Sequence, residues 1–225
     1  MVVLGKLRAR RRLDDRDGQV LAVERACEVS LGEQLGWDRV EFVEGAHGGT
    51  VTHPDAPPTC HDQAVVDIRE LRPSEVAFLQ EMLYTALDWR PDVELPPREW
   101  VLEHPQVAPF HTGWGRPGDV GLVAQQEDVP IGLAWYRFFT EEEHGEGFVD
   151  PDTPEVAVAV VDGHRGRGIG GMLMESIHNR AREQGVARIS LSVDADNPAK
   201  RLYLRLGYVD LEPGDENGRM ILELG

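Results

Sequence analysis

The chain has 225 residues, 41% of them hydrophobic and 28% charged, and a formal net charge of −17. That length carries one full core with at most a small appendage, and no apolar run approaches the roughly 18–20 residues of a bilayer span. The acidity argues against a nucleic-acid partner, because phosphate contacts along a strand need clustered cations, and it suits a cationic, amine-bearing substrate as well as plain solubility.

Residues 1–63 read as an N-terminal extension. Its basic cluster, Arg8, Arg10, Arg11 and Arg12, follows a very short apolar segment, the reverse order of a secretory signal. Val20–Leu35 has the composition of a helix, and Gly45–Pro58 that of a linker rich in turn formers. Cys27 and Cys60, the only cysteines, form neither a CxxC pair nor a disulfide framework, which fits a reducing cytoplasm. His47, His53, Cys60 and His61 lack metal-ligand spacing, so no metal is expected.

Residues 64–225 read as a regular domain. Ala64–Leu71 is a strand. Ser74 is placed to cap a helix reaching about Asp88, with Val76, Leu79, Met82, Leu83 and Leu87 on one face. Pro96–Pro97 open a short helical segment through Glu103. Val120–Gln125 and Ile131–Phe139 are strands of a hairpin turning around Glu127–Pro130. A longer acidic loop, Phe138–Pro154, leads to the strand Glu155–Val161. Gly168–Glu183 is a helix with Ile169, Leu173, Ile177 and Ala181 at four-residue steps, closed by Gly185. Ala187–Val193 is a strand, and Asn197 caps a helix that Pro198 starts and Gly207 stops. Tyr208–Leu211 and Arg219–Leu224 finish as strands. The order β-α-α-β-β-β-α-β-α-β-β is that of a mixed α/β (α+β) domain.

The chemistry concentrates in Glu155–Gly171, EVAVAVVDGHRGRGIGG. A valine-rich strand, a glycine turn and a helix start present free backbone N–H groups to a phosphate. Gly166, Gly168 and Gly171 fit G-x-G-x-x-G, and Asp194 ends the next strand where a dinucleotide fold places its ribose-binding acid. That alternative, a nucleotide-dependent oxidoreductase, is disfavoured. Asp162–Arg165 intervene before the glycines, and too little chain follows Asp194 for the remaining units of a doubly wound sheet.

Arg165, Gly168 and Gly170 also fit Arg/Gln-x-x-Gly-x-Gly/Ala. Together with NPAKRLYLRLGY (Asn197–Tyr208), this resembles the GNAT superfamily of acyl-CoA-dependent N-acyltransferases over roughly residues 64–225. The resemblance implies a twisted mixed sheet and acetyl-CoA as cosubstrate. It implies that the coenzyme A pyrophosphate sits on Arg165, Gly166, Arg167, Gly168, Ile169 and Gly170. The pantetheine arm would then pair with the main chain of Val158 and Val160 where two strands splay apart. It implies Tyr203 as the acid for the leaving thiolate and Glu155 as a base for the amine, with Glu142, Glu143 and His144 as rival bases. Asn197 caps its helix and is placed to touch the pantetheine arm. Neither cysteine falls on a matched position, so the implied transfer is direct, without an acyl-enzyme. Trp100, Trp114, Trp135 and Tyr136 are core or rim aromatics with a place in an acceptor pocket as the alternative. The acceptor is a small-molecule or peptide amine. No nucleic-acid or membrane partner is expected, and a homodimer stays open. A non-catalytic acyl-CoA sensor or partner-binding protein is the remaining alternative.

Overall fold

The computed structural model describes residues 10–11 and 65–225. The rest of the expected extension, with its helix, linker, cysteines and first three histidines, lies outside the described residues. The strands are β1 (Arg10–Arg11), β2 (Val66–Glu70), β3 (Val93–Glu94), β4 (Val120–Gln126), β5 (Val129–Arg137), β6 (Glu155–Val160), β7 (Arg188–Ser192), β8 (Val209–Asp210) and β9 (Arg219–Glu223). The helices are α1 (Val76–Leu87), α2 (Arg98–Glu103), α3 (Ile169–Glu183) and α4 (Lys200–Arg205). Apart from the short β1–β3 ladder, the element order is the expected one. The main sheet has seven strands in the order β2-β4-β5-β6-β7-β9-β8.

Local chemistry explains where elements begin and end. Glu75, not Ser74, organises the start of α1: its carboxylate accepts the Arg72 N–H at 2.8 Å and both terminal nitrogens of Arg69 at 2.7 and 2.8 Å. The hairpin turn is tighter than expected, with Glu127 and Asp128 at φ 52 and 65, the left-handed pair a two-residue loop demands. Pro130 therefore falls inside β5. It stands opposite Gln125, where the ladder shifts register, so its missing N–H breaks no regular pairing. Asn197 Oδ1 accepts the Ala199 N–H at 2.9 Å and forms a turn, and regular helix begins three residues later.

Helices α1 and α3 both pack on the β5–β6 pair and cover the sheet. Leu79, Leu83, Leu133, Trp135, Leu173 and Ile177 are wholly buried between them, each such side chain contributing about 1.5–3 kcal/mol. The sheet opens at β6 and β7. They run parallel but share a single register pair, Glu155 with Ser190, fastened by the Ser190 N–H to the Pro154 carbonyl at 3.0 Å. Beyond that point they part.

Candidate active site

Where β6 and β7 diverge, the β7-facing edge of β6 loses its partner. Backbone groups alternate sides along a strand. Pro154 turns its carbonyl toward β7 and Val161 turns its N–H toward Ile131 of β5. Past that pair, Val158 and Val160 turn their main-chain N–H and C=O groups to the gap, where Val160 O accepts from the Arg165 side chain. The gap is a cleft of about 570 Å³ lined by Val158 and Val160 of β6, by Thr85, Ala86 and Trp89 from α1, by the Arg165–Gly171 turn, and by Asn197, Leu202, Tyr203 and Arg205.

The turn is built for close approach. Gly163, Gly166 and Gly168 have φ of 81, 77 and 83, a region that costs an L-residue roughly 1–2 kcal/mol. Gly168 is the N-cap of α3. The first bond into the helix is Met172 N–H to Gly168 O, which leaves the N–H groups of Ile169, Gly170 and Gly171 directed out of its positive end. Arg165 buttresses this turn: Nε donates to Val160 O at 3.1 Å, Nη2 to Thr85 O at 3.3 Å, and Asp162 lies 3.3 Å away.

Tyr203 is wholly buried, and burial raises its phenol pKa above the ordinary 10. The hydroxyl stays protonated across working pH and is a donor. Its ring stands edge-on to Tyr208 at 5.8 Å. His178 braces Tyr208: burial, with the Arg182 charge second, pulls its pKa down to about 4. The imidazole is therefore neutral, and its Nε2 and the Tyr208 hydroxyl share a hydrogen bond of 2.8 Å.

Glu155 does not line the cleft. It is 1% exposed and lies under the segment Gly145–Glu146–Gly147. The Gly147 N–H donates to its Oε1 at 2.9 Å, while Oε2 has no partner among the described residues. A Cβ at Gly145 would lie 2.6 Å from Oε2, and one at Gly147 2.6 Å from Oε1, so both glycines are required by the carboxyl beneath them. Burial drives the Glu155 pKa to about 8; the Gly147 bond opposes this and the Glu146 charge adds to it. The rival bases differ sharply. Glu142, Glu143 and His144 are exposed. Glu143 pairs with Arg116 at 3.3 Å, and His144 stacks on Phe148 with its Nδ1 2.7 Å from Gly145 O.

Of the sequence-selected residues, one cleft gathers Val158, Val160, Arg165, Gly166, Gly168, Ile169, Gly170, Asn197 and Tyr203. Arg167 turns instead to His164 at 3.1 Å and to Gln126 of the hairpin. Trp135 and Tyr136 are buried, Tyr136 donating to Gln184 at 2.8 Å, whereas Trp100 is half exposed. Sequence reasoning missed the α1 wall, whose small Thr85 and Ala86 carry no motif. It also missed the Gly145–Gly147 cradle, whose only signal was two glycines in an acidic loop. The dinucleotide alternative lacks its scaffold, since β6–β7 is the single parallel pair among the described strands of the sheet.

Residues 80–208 match the Acetyltransferase (GNAT) family. The chain is 30% identical over 134 residues to the mycothiol acetyltransferase of Corynebacterium aurimucosum, covering 55% of this chain and 39% of that protein. It is 32% identical over 88 residues to that of Brachybacterium faecium, covering 39% and 25%. It thus spans well under half the length of these curated relatives. An acetyltransferase of the GNAT family from Staphylococcus aureus Mu50 superposes with a TM-score of 0.54 at 16% identity, covering 72% of this chain and 100% of that one. The protein yncA of Salmonella typhimurium, solved with its cofactor acetyl-CoA, superposes with a TM-score of 0.50 at 20% identity, covering 71% and 94%.

Proposed function

The chain belongs to the acetyltransferase (GNAT) family, and from that premise we propose that it moves the acetyl group of acetyl-CoA to an amine by direct attack. The observation that carries this reading is the cleft itself: a bare strand edge, a helix N-terminus behind three left-handed glycines, and a buried phenol meet in one space. The Ile169–Gly171 N–H groups and Arg165 suit the pyrophosphate. The open edge of Val158 and Val160 suits the amide-bearing pantetheine arm, with Asn197 beside it. Arg167 acts at longer range, through charge near the phosphates.

In the transfer, the amine nitrogen bonds to the thioester carbon and the carbon–sulfur bond breaks. The departing sulfur takes the Tyr203 proton, and one amine proton passes to Glu155, after which solvent restores both groups. The carboxyl is closed from solvent, so the proton reaches it through a bound water meeting Oε2, the oxygen without a partner among the described residues. Glu155 accepts only when ionised, so kcat/KM rises with pH to a plateau above about 8. The acceptor is a small-molecule or peptide amine, and the chain's charge of −17 favours cationic ones.

A thermal-shift comparison of acetyl-CoA, CoA, NAD and NADP tests the cosubstrate. A ligand at 100 times its Kd stabilises by about 2.7 kcal/mol, and stabilisation by NAD but not CoA would overturn the assignment. Thiol release from acetyl-CoA with a panel of amines then separates an enzyme from a non-catalytic acyl-CoA sensor, which binds and releases none.

A further inference from the structure

Arg137 stands directly across the β5–β6 ladder from Glu155 and is wholly buried. Its guanidinium is turned to the coil before β4, and all five of its N–H groups are engaged there. Nε and Nη2 hold both oxygens of Asp119 at 2.8 and 2.6 Å. Nη1 donates to the carbonyls of Pro109 and Thr112 at 2.5 and 2.8 Å, and Nη2 also to Gly113 at 3.1 Å. Asp119 completes the knot by accepting the N–H groups of Gly115 and Arg116 at 2.8 and 2.9 Å. Gly113, Gly115 and Gly118, at φ 60, 101 and 93, let the coil wrap this tightly.

Pro109, gripped by Arg137, precedes Phe110. Phe110 is wholly buried, meets Phe139 edge-on at 5.0 Å, and leaves no room for a side chain at Gly145, where a Cβ would lie 2.5 Å from its Cζ. Gly145 is one wall of the Glu155 cradle. We propose that Arg137 is a positioning residue for Glu155: with Asp119 it fixes Phe110, and Phe110 holds the Gly145–Gly147 segment closed over the carboxyl. This rests on the reading of Glu155 as the base. Among the described residues, the charged groups facing that carboxyl are few. From β5 there is Arg137, neutralised by Asp119. From the covering loop there is Glu146, whose carboxylate takes the Gln106 amide at 3.3 Å. Residues 188–192 of β7 place backbone and Ser190 there. Loosening the clamp therefore acts chiefly by letting water reach Glu155.

The test is a titration of the intact protein labelled with carbon-13 at the glutamate carboxyls, the Glu155 resonance being the one lost in Glu155→Gln. Arg137→Lys keeps the charge but not the five-donor fork, so any change reports geometry. Its Glu155 midpoint is expected to fall by a full pH unit or more, a tenfold change in the proton equilibrium, with the kcat/KM profile moving in parallel. Phe110→Leu, with the clamp intact, is expected to lower the midpoint as well. A folded Arg137→Lys protein with an unchanged midpoint and profile overturns the proposal, whatever happens to its melting temperature. If Arg137→Lys fails to fold, Asp119→Asn opens the same knot from its other end and is read the same way. Wild-type turnover in Glu155→Gln would remove the base assignment alone, since the resonance midpoint still decides the clamp.

Discussion

Replacing Glu155 by glutamine makes stability itself report the burial of the carboxyl. The folded protein holds that proton up to about pH 8, whereas a carboxyl of ordinary pKa 4.5 in the unfolded chain releases it far earlier. Because the folded pKa is the higher one, the native state gains from the proton at low pH. That gain is lost as pH rises from about 4.5 to about 8. A gap of about 3.5 pKa units corresponds to about 5 kcal/mol at ~1.36 kcal/mol per unit. Glutamine has nearly the same shape and does not titrate, so Glu155→Gln escapes the loss. Relative to wild type it should gain about 2.5 kcal/mol between pH 5 and pH 7, and about 4 kcal/mol by pH 9. Urea unfolding of both proteins at the three pH values reads this directly. With a slope of about 2 kcal/mol/M, the difference between midpoints grows by about 1 M from pH 5 to pH 7. Other titrating groups, and any fixed cost of the amide, cancel in that growth. A midpoint difference constant across pH would falsify the argument, because Glu155 would then titrate alike folded and unfolded.

The remaining predictions concern the cleft and the cradle. Tyr203→Phe should keep coenzyme A binding and lose roughly 10²–10⁴-fold in kcat; unchanged turnover removes the acid role. Gly168→Ala should cost about 1–2 kcal/mol in urea and weaken acetyl-CoA binding. A Cβ there meets nothing within 4 Å and φ is +83, so the cost is backbone strain alone, and an undiminished midpoint refutes it. Gly147→Ala should destabilise by about 1–3 kcal/mol or more, since its Cβ would lie 2.6 Å from Glu155 Oε1 and 2.7 Å from the Leu191 carbonyl carbon. Calorimetry of that variant checks it, and a wild-type melting temperature would show that the cradle yields.

Much of this fold was legible because its signals are local. Local patterns placed β4, β6 and α3 to within a residue or two, and the turn before α3 could be read because its left-handed backbone demands glycine. Asn197 and Tyr203 were singled out through a motif that spans a turn and the helix after it. What stayed hidden depends on groups far apart in sequence. Nothing near Glu155 announces that residues 145–147 will close over it, nor that Phe110 will lie beneath them. Arg137 carries no signal of its own within the expected strand Ile131–Phe139. Its burial is explained only by Asp119, eighteen residues away on the preceding strand's approach, and by three carbonyls of a coil with no pattern of its own. The Ser74 cap failed because Glu75, one residue on, reaches Arg69 and the Arg72 backbone together.

A chain of net charge −17 for which a polyphosphate cosubstrate is proposed poses an electrostatic question, and the cleft offers an answer. The attraction is short-ranged: helix-end N–H groups, whose effect fades within a turn, together with Arg165 and Arg205 at the rim. The repulsion belongs to the whole surface and is long-ranged. At about 0.01 M salt the screening length is about 30 Å, so an approaching anion meets the net charge of the entire domain; at 0.15 M it is about 8 Å, and only the local groups count. Association of coenzyme A should therefore quicken as salt rises from about 0.01 to 0.15 M, opposite to the usual steered encounter, while dissociation quickens too as the phosphate contacts weaken. Stopped-flow binding at the two ionic strengths separates the rates. An association rate that falls with salt would mean that the positive field of the turn extends beyond the cleft and that the acidity of the remainder has no part in the encounter.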